Sequence, residues 1–274
     1  MEISGSIGVT ILKNKDKVII LLADDHSNSS YCEDNGFKNH KNIKEYLQTE
    51  LDKGSQILLE EVPRDGFELQ ELWPESPHTQ SLKHFFLQDN NVTGIDIRPY
   101  LIPFSLDVIE SNKKFGEVLT IDYINKLDEF FNLTGRYYDN IFKDCLEKVI
   151  IKNSGLGKNL QSIVNKFNKI KKKIVEDNVK IGYYYTNENK FLDEISKLCD
   201  EIMEFSTILK AFSSKNKSII HAGLFHSYNI LEWLKDEYLF DIIYQNGLND
   251  YNKLVSEDYN SCIKLPNELF VLKD

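Results

Sequence analysis

Three of the six histidines in this chain stand where apolar runs give way to polar residues. His26 follows Asp24 and Asp25 at the end of the run KVIILLA. His221 lies in KSIIHA, and His226 comes shortly after it. Glu60 and Glu61 close the run QILLEEV, and Asp96 and Arg98 close VTGIDIR. Imidazoles and carboxylates together can hold a divalent transition ion and its water. Such an ion moves the pKa of that water toward 7 and polarises a carbonyl. Without an ion, a histidine paired with a carboxylate can act as general base on water.

Each residue also has a plainer reading. Glu60 and Glu61 are adjacent in a strand-like run, so they point to opposite faces and one of them reaches a site. We favour Glu60. A carboxylate in a buried strand is costly without a partner. Asp96 and Arg98 share a face, and a simple ion pair explains them as well as catalysis does. His221 and His226 do not fit one helical face. They fit if His221 ends a strand and His226 sits in the first turn of the next helix, with Gly223 as the tight turn between. Asp24 and Asp25 would then support His26 from behind, and Arg98 would hold a substrate carboxylate or an oxyanion. The catalytic set read this way is His26, Glu60 or Glu61, His221 and His226. The set for a divalent ion (Mn, Co or Zn) is His26, Glu60 and His226. His40, His78 and His84 are expected at the surface or in packing.

Elements must bring these residues together. Ser6–Leu12 and Lys17–Ala23 read as a hairpin about the polar turn Asn14–Asp16. The second run is apolar throughout, as in a strand buried on both faces. Asn42–Lys53 carries helical spacing and ends at Gly54. Gln56–Val62 is a strand, Ser81–Leu87 a short helix and Val92–Ile97 a further strand. Lys217–Ala222 returns to strand character, an amphipathic helix follows over Leu224–Glu237, and Leu239–Tyr244 resembles one more strand. The fold class is α/β: a central, mainly parallel sheet with an N-terminal hairpin, flanking helices and a helical insertion. Ligands in such sheets bind outside the carboxyl ends of the strands. The expected organisation is one domain over 1–274, with a core of 1–104 plus 214–274 and an insertion over 105–213. Helices in the insertion are expected over Ser105–Asn112, Ile121–Phe131, Arg136–Ile150, Leu160–Asp177 and Asn187–Phe212, with Gly155 and Gly157 as a break.

Composition excludes several function classes. The formal net charge is -10, which argues against nucleic acid and against an anionic membrane surface. No apolar run reaches the length of a membrane helix, and the first residues lack the pattern of a signal peptide. The four cysteines, Cys32, Cys145, Cys199 and Cys262, have no CxxC spacing. They are expected as free thiols in a reducing, cytoplasmic setting. The lysines around Lys166–Lys173 read as a solvated helix face. There is no P-loop, no GxGxxG and no GxSxG elbow. The wealth of Asn, Lys, Ile and Tyr is that of an AT-rich genome, as in many large DNA viruses.

Four short motifs then resemble the superfamily of erythromycin esterase, the haem-uptake protein ChaN, the TraB/PrgY proteins and the TIKI metalloproteases. They are Ala23-Asp24-Asp25-His26 (with Ala23 where glycine is usual), the Glu of LLEEVP, Gly94-Ile95-Asp96-Ile97-Arg98, and Gly223-Leu224-Phe225-His226. The resemblance covers the first hundred residues and Ser218–Leu234. It implies an α/β core with helical insertions and a site of His and Glu residues. Family members include metal-dependent peptidases, a metal-independent esterase and a haem binder, so fold alone leaves the reaction open. The expectation is a hydrolase of an ester or amide bond in a small-molecule or peptide substrate. The alternatives are a non-catalytic binding or viral structural protein with the same fold and, third, a metal-dependent phosphoesterase.

Overall fold

The computed structural model describes residues 1–26, 40–62, 72–134, 140–149, 155–174, 179–186, 190–214, 217–255 and 259–266. The chain divides into two compact units, one of Met1–Glu61, Glu75–Ile95 and Lys210–Asp274, the other of Val62–Pro74 and Asp96–Leu209.

The first unit holds the sheets. Strand β1 (Glu2–Ser4) precedes the hairpin of β2 (Gly8–Asn14) and β3 (Lys17–Asp24). The two hairpin strands pair from Gly8 opposite Ala23 to Asn14 opposite Lys17, with Lys15 at positive φ in the turn. A short strand β4 (His40–Asn42) leads into helix α1 (Ile43–Asp52). A capping box opens this helix: Glu45 N–H donates to the Asn42 side chain and Asn42 N–H to Glu45, which satisfies two donors that the helix leaves free. Gly54 ends it at φ 82, a conformation costly for any residue with a Cβ. Strand β5 (Gln56–Leu59), helix α2 (Pro77–Phe85) and strand β6 (Val92–Gly94) follow.

The second unit is helical in its described residues. Its helices are α3 (Val108–Ser111), α4 (Thr120–Phe131), α5 (Asn140–Val149), α6 (Gly155–Ile174), α7 (Ile181–Thr186) and α8 (Lys190–Ser213), the last running on into the first unit. Aromatic rings fill its interior, with Phe142 between Phe130 and Phe205, and Tyr123 donates a 2.8 Å hydrogen bond to the Phe104 carbonyl. Helices α5 and α6 are separate, as expected, but Gly155 and Gly157 do not lie between them; they sit in the first turn of α6, where a glycine disturbs a helix least. Lys166 and Lys173 pair with Glu201 and Glu194 of α8, as a solvated face does.

The chain returns through β7 (Ser218–Gly223), helix α9 (Leu224–Asp236), β8 (Asp241–Gly247) and β9 (Cys262–Lys264). The main sheet has the order β6-β5-β7-β3-β2-β8. Its first four strands run parallel; β2 pairs antiparallel with β3, and the edge strand β8 pairs antiparallel with β2. The fold is therefore α/β with a mixed sheet whose pairings are mostly parallel. A second, three-stranded sheet has the order β4-β1-β9. Ile19, Ile20 and Leu22 of β3 have no exposed surface, as an unbroken apolar run between two neighbouring strands requires. Around Ile20 and Leu22 pack Ile57 and Leu59 of β5, Tyr46 and Leu47 of α1, and Leu82 and Phe86.

One cysteine departs from expectation. Cys145 and Cys199 are buried free thiols, but Cys262 is disulfide-bonded; Cys32 lies outside the described residues. Spacing along the chain does not reveal such a bond, because long-range folding sets which thiols meet. No helix among the described residues is long and apolar enough to cross a membrane.

Candidate functional site

Three parallel neighbours in the sheet set the register of the site. Asp24 at the end of β3 stands opposite Gly223 of β7, and Leu22 and Leu59 flank His221 from either side. The Glu60 N–H continues the ladder, donating to the His221 carbonyl at 2.9 Å. Asp24, Glu60 and Gly223 thus end on one sheet edge, and each next segment leaves from there.

Glu60 is the meeting point. Its Oε2 accepts the Gly223 N–H at 2.5 Å, at the N-terminus of α9. An anion is favoured there by the unpaired N–H groups and the helix dipole. His226, in the first turn of α9, brings Nε2 to 3.6 Å from Glu60 Oε1. His26 brings Nε2 to 4.0 Å from Glu60 Oε2. Glycine at 223 lets His26 come this close: a Cβ there would lie 2.6 Å from His26 Nε2 and 3.3 Å from Glu60 Oε2, so the side chains would have to shift.

Asp24 is the second meeting point. Its Oδ2 lies 3.3 Å from His26 Nδ1 and 3.8 Å from His78 Nε2. His78 packs against His221, their ring centroids 5.5 Å apart. Asp24, His78 and His221 are all buried, and one ligand atom from each lies within 4.8 Å of the others. His221 Nε2 is 3.5 Å from the Gly5 carbonyl. A cavity of about 10 Å³ lies among Asp24, His26, Glu60, Thr79 and His221, close to the least volume that holds one water.

Burial opposes the charge on Asp24, but the hydrogen bond from His26 and the imidazoles of His221, His78 and His26 outweigh it and hold the carboxyl below its usual range. The bond to Asp24 raises the pKa of His26 against the opposing effect of burial, and the charges of Glu60, Asp24 and Asp25 add to the rise. Burial lowers the pKa of His221 and favours its neutral form, more strongly than nearby Asp24 favours the charged one. His26 itself sits at φ 60, a left-handed conformation uncommon outside glycine.

The remaining expected residues fall out as follows. Glu61 is fully buried, and Glu60 is the one that meets the histidines. Asp25 is half-buried beside His26 and acts on it through its charge. Asp96 and Arg98 belong to the second unit. There Arg98 grips Asp96 through Nε at 2.7 Å and Nη2 at 2.9 Å and reaches Asp200 through Nη1 at 3.1 Å. That is the ion pair the sequence left open as an alternative. His40 and His84 are exposed. His78, expected in packing, instead joins the cluster. Ser76 caps α2 by accepting the Thr79 N–H, with Pro77 in the first position, and this fixes His78 in the opening turn. Serine before proline is a readable helix start; placing the helix at Ser81 hid it.

Asp24, His26, Glu60, His221 and His226, all in the first unit, therefore converge as expected from their strand ends, and His78 joins them. No family model, no curated protein and no solved structure matches this chain.

Proposed function

We propose that this chain is a hydrolase that cleaves an ester or amide bond in a small-molecule or peptide substrate. The observation that carries the reading is the Asp24–His26 pair, 3.3 Å apart, facing Glu60 across a cavity of about 10 Å³. His26 is the general base. Asp24 holds its Nδ1, leaving Nε2 to take a proton from a water as the water oxygen attacks the carbonyl carbon. The resulting imidazolium is stabilised by Asp24 and Glu60, and it returns the proton to the leaving oxygen or nitrogen. His226, held by Glu60, donates to the oxygen that becomes negative in the tetrahedral intermediate. The raised pKa of His26 makes it a stronger proton acceptor.

The motif resemblance to the erythromycin esterase, ChaN, TraB/PrgY and TIKI superfamily supports the same reading. A divalent ion such as Mn, Co or Zn, when bound, would polarise the carbonyl and acidify the water. The test is a screen of the purified protein against ester and peptide substrates, followed by His26→Ala and His226→Ala. Both variants are expected to lose at least about 100-fold in kcat/KM with unchanged circular dichroism. Full activity in either variant overturns the assignment.

A further inference from the structure

We propose that Asp24, His78 and His221 form a binding site for one divalent transition-metal ion, separate from the Glu60–His226 contact. The donor set is two imidazoles and one carboxylate, a mixed N/O set that suits Zn, Co or Mn and leaves room for water or substrate. One ligand atom of each residue already lies within 4.8 Å of the other two. Ligand atoms on a tetrahedral ion with bonds near 2.1 Å lie about 3.4 Å apart. The 3.8 Å between His78 Nε2 and Asp24 Oδ2 therefore closes with a small side-chain rotation.

Two further observations point to a ligand. The first is His78 Nε2, which is buried and has no hydrogen-bond partner among the described residues while its side chain keeps 10% exposure. A buried ring nitrogen without a partner is costly; here it faces a carboxylate at a distance an ion would bridge. The second is the cavity of about 10 Å³ that touches two of the three ligands, Asp24 and His221, beside His26 and Glu60 and not beside His78; it has room for a single atom-sized guest. The supports behind the ligands are also in place. Asp24 has a second contact in His26, so it can hold the ion and orient the base at once. His221 lies beside the Gly5 carbonyl, a contact of the kind that sets a ligand histidine's tautomer. The rigid capped turn of α2 holds His78.

The site stands whether or not the chain is a hydrolase, so its test reads binding. The full chain is stripped with chelator and titrated with Zn(II) by calorimetry and with Co(II) by visible absorption. One ion per chain is expected, with a Co(II) spectrum of nitrogen and oxygen ligation. His78→Ala, His78→Gln and Asp24→Asn should each weaken binding by more than about 100-fold, while His226→Ala should keep it. Less than stoichiometric binding in the wild type overturns the site. So does a loss of binding in His226→Ala with retention in both His78 variants, which would put the ion on Glu60 and the neighbouring histidines. An anomalous difference map from Zn-loaded crystals decides the matter without any variant. A peak among Asp24, His78 and His221 supports the site, and a peak elsewhere ends it.

Discussion

Gly223 and His26 approach closely: a Cβ on Gly223 would stand 2.6 Å from His26 Nε2, so the ring would have to move to admit one. The histidine ring occupies the space a larger residue would need, and the Glu60 carboxylate closes the other side.

Gly223→Ala should therefore act as an overpacking change at the site. The His26 ring, which is partly exposed, must swing outward and lose its contact with Asp24. Because the ring has solvent to move into, urea denaturation is expected to show a loss of no more than about 1 kcal/mol. Activity on any substrate found should fall together with that of His26→Ala. Activity that stays at the wild-type level in Gly223→Ala would mean that His26 does not act from this place.

Glu50 governs a separate acid sensitivity. It is buried in α1 and binds Lys53 at 2.9 Å and Lys217. Burial alone would raise its pKa, but the hydrogen bonds from Lys217 and Lys53 and their charges lower it. A carboxyl held below its unfolded value contributes stability that is complete above the unfolded pKa and is lost as pH falls through the folded one. Glu50→Gln should cost about 2 kcal/mol at pH 7, less than a fully buried pair because Lys53 is exposed. Urea midpoints measured from pH 7 downward should converge for wild type and variant in acid. A gap that stays constant with pH would refute the linkage.

The cysteines divide by chemistry. Burial pushes the Cys145 thiol up to about 11 and the Cys199 thiol higher still, and thiolate is the reactive form. Both should resist alkylation in the native protein and react once it unfolds. Cys262 should resist even in denaturant until a reductant is added. Peptide mass mapping after each treatment distinguishes the three residues, and rapid native labelling of Cys199 would contradict its buried position.

Much of the core unit was legible because its signals are local and strong. The run Lys17–Ala23 is apolar on both faces, and only a strand with neighbours on both sides accommodates that. The polar residues after each run then had to lie along one edge once the strands ran parallel. The short strands β1, β4 and β9 were not legible, because three residues carry no period and their pairing comes from distant parts of the chain. His78 was missed for a different reason. A crossover helix between parallel strands begins at the same edge where those strands end, so a histidine in its opening turn belongs with the strand-end residues. The cap at Ser76-Pro77 carried that information. Glu60 and Glu61 could be split by alternation alone, but which of the two met the histidines needed the position of Gly223.

The backbone at His26 carries a consequence for how this chain could evolve. Glycine or asparagine would adopt its left-handed turn at lower cost. Selection for a sturdier fold alone would thus tend to replace this histidine, and in doing so would discard the imidazole. Position 26 is where robustness and reactivity pull the sequence in opposite directions.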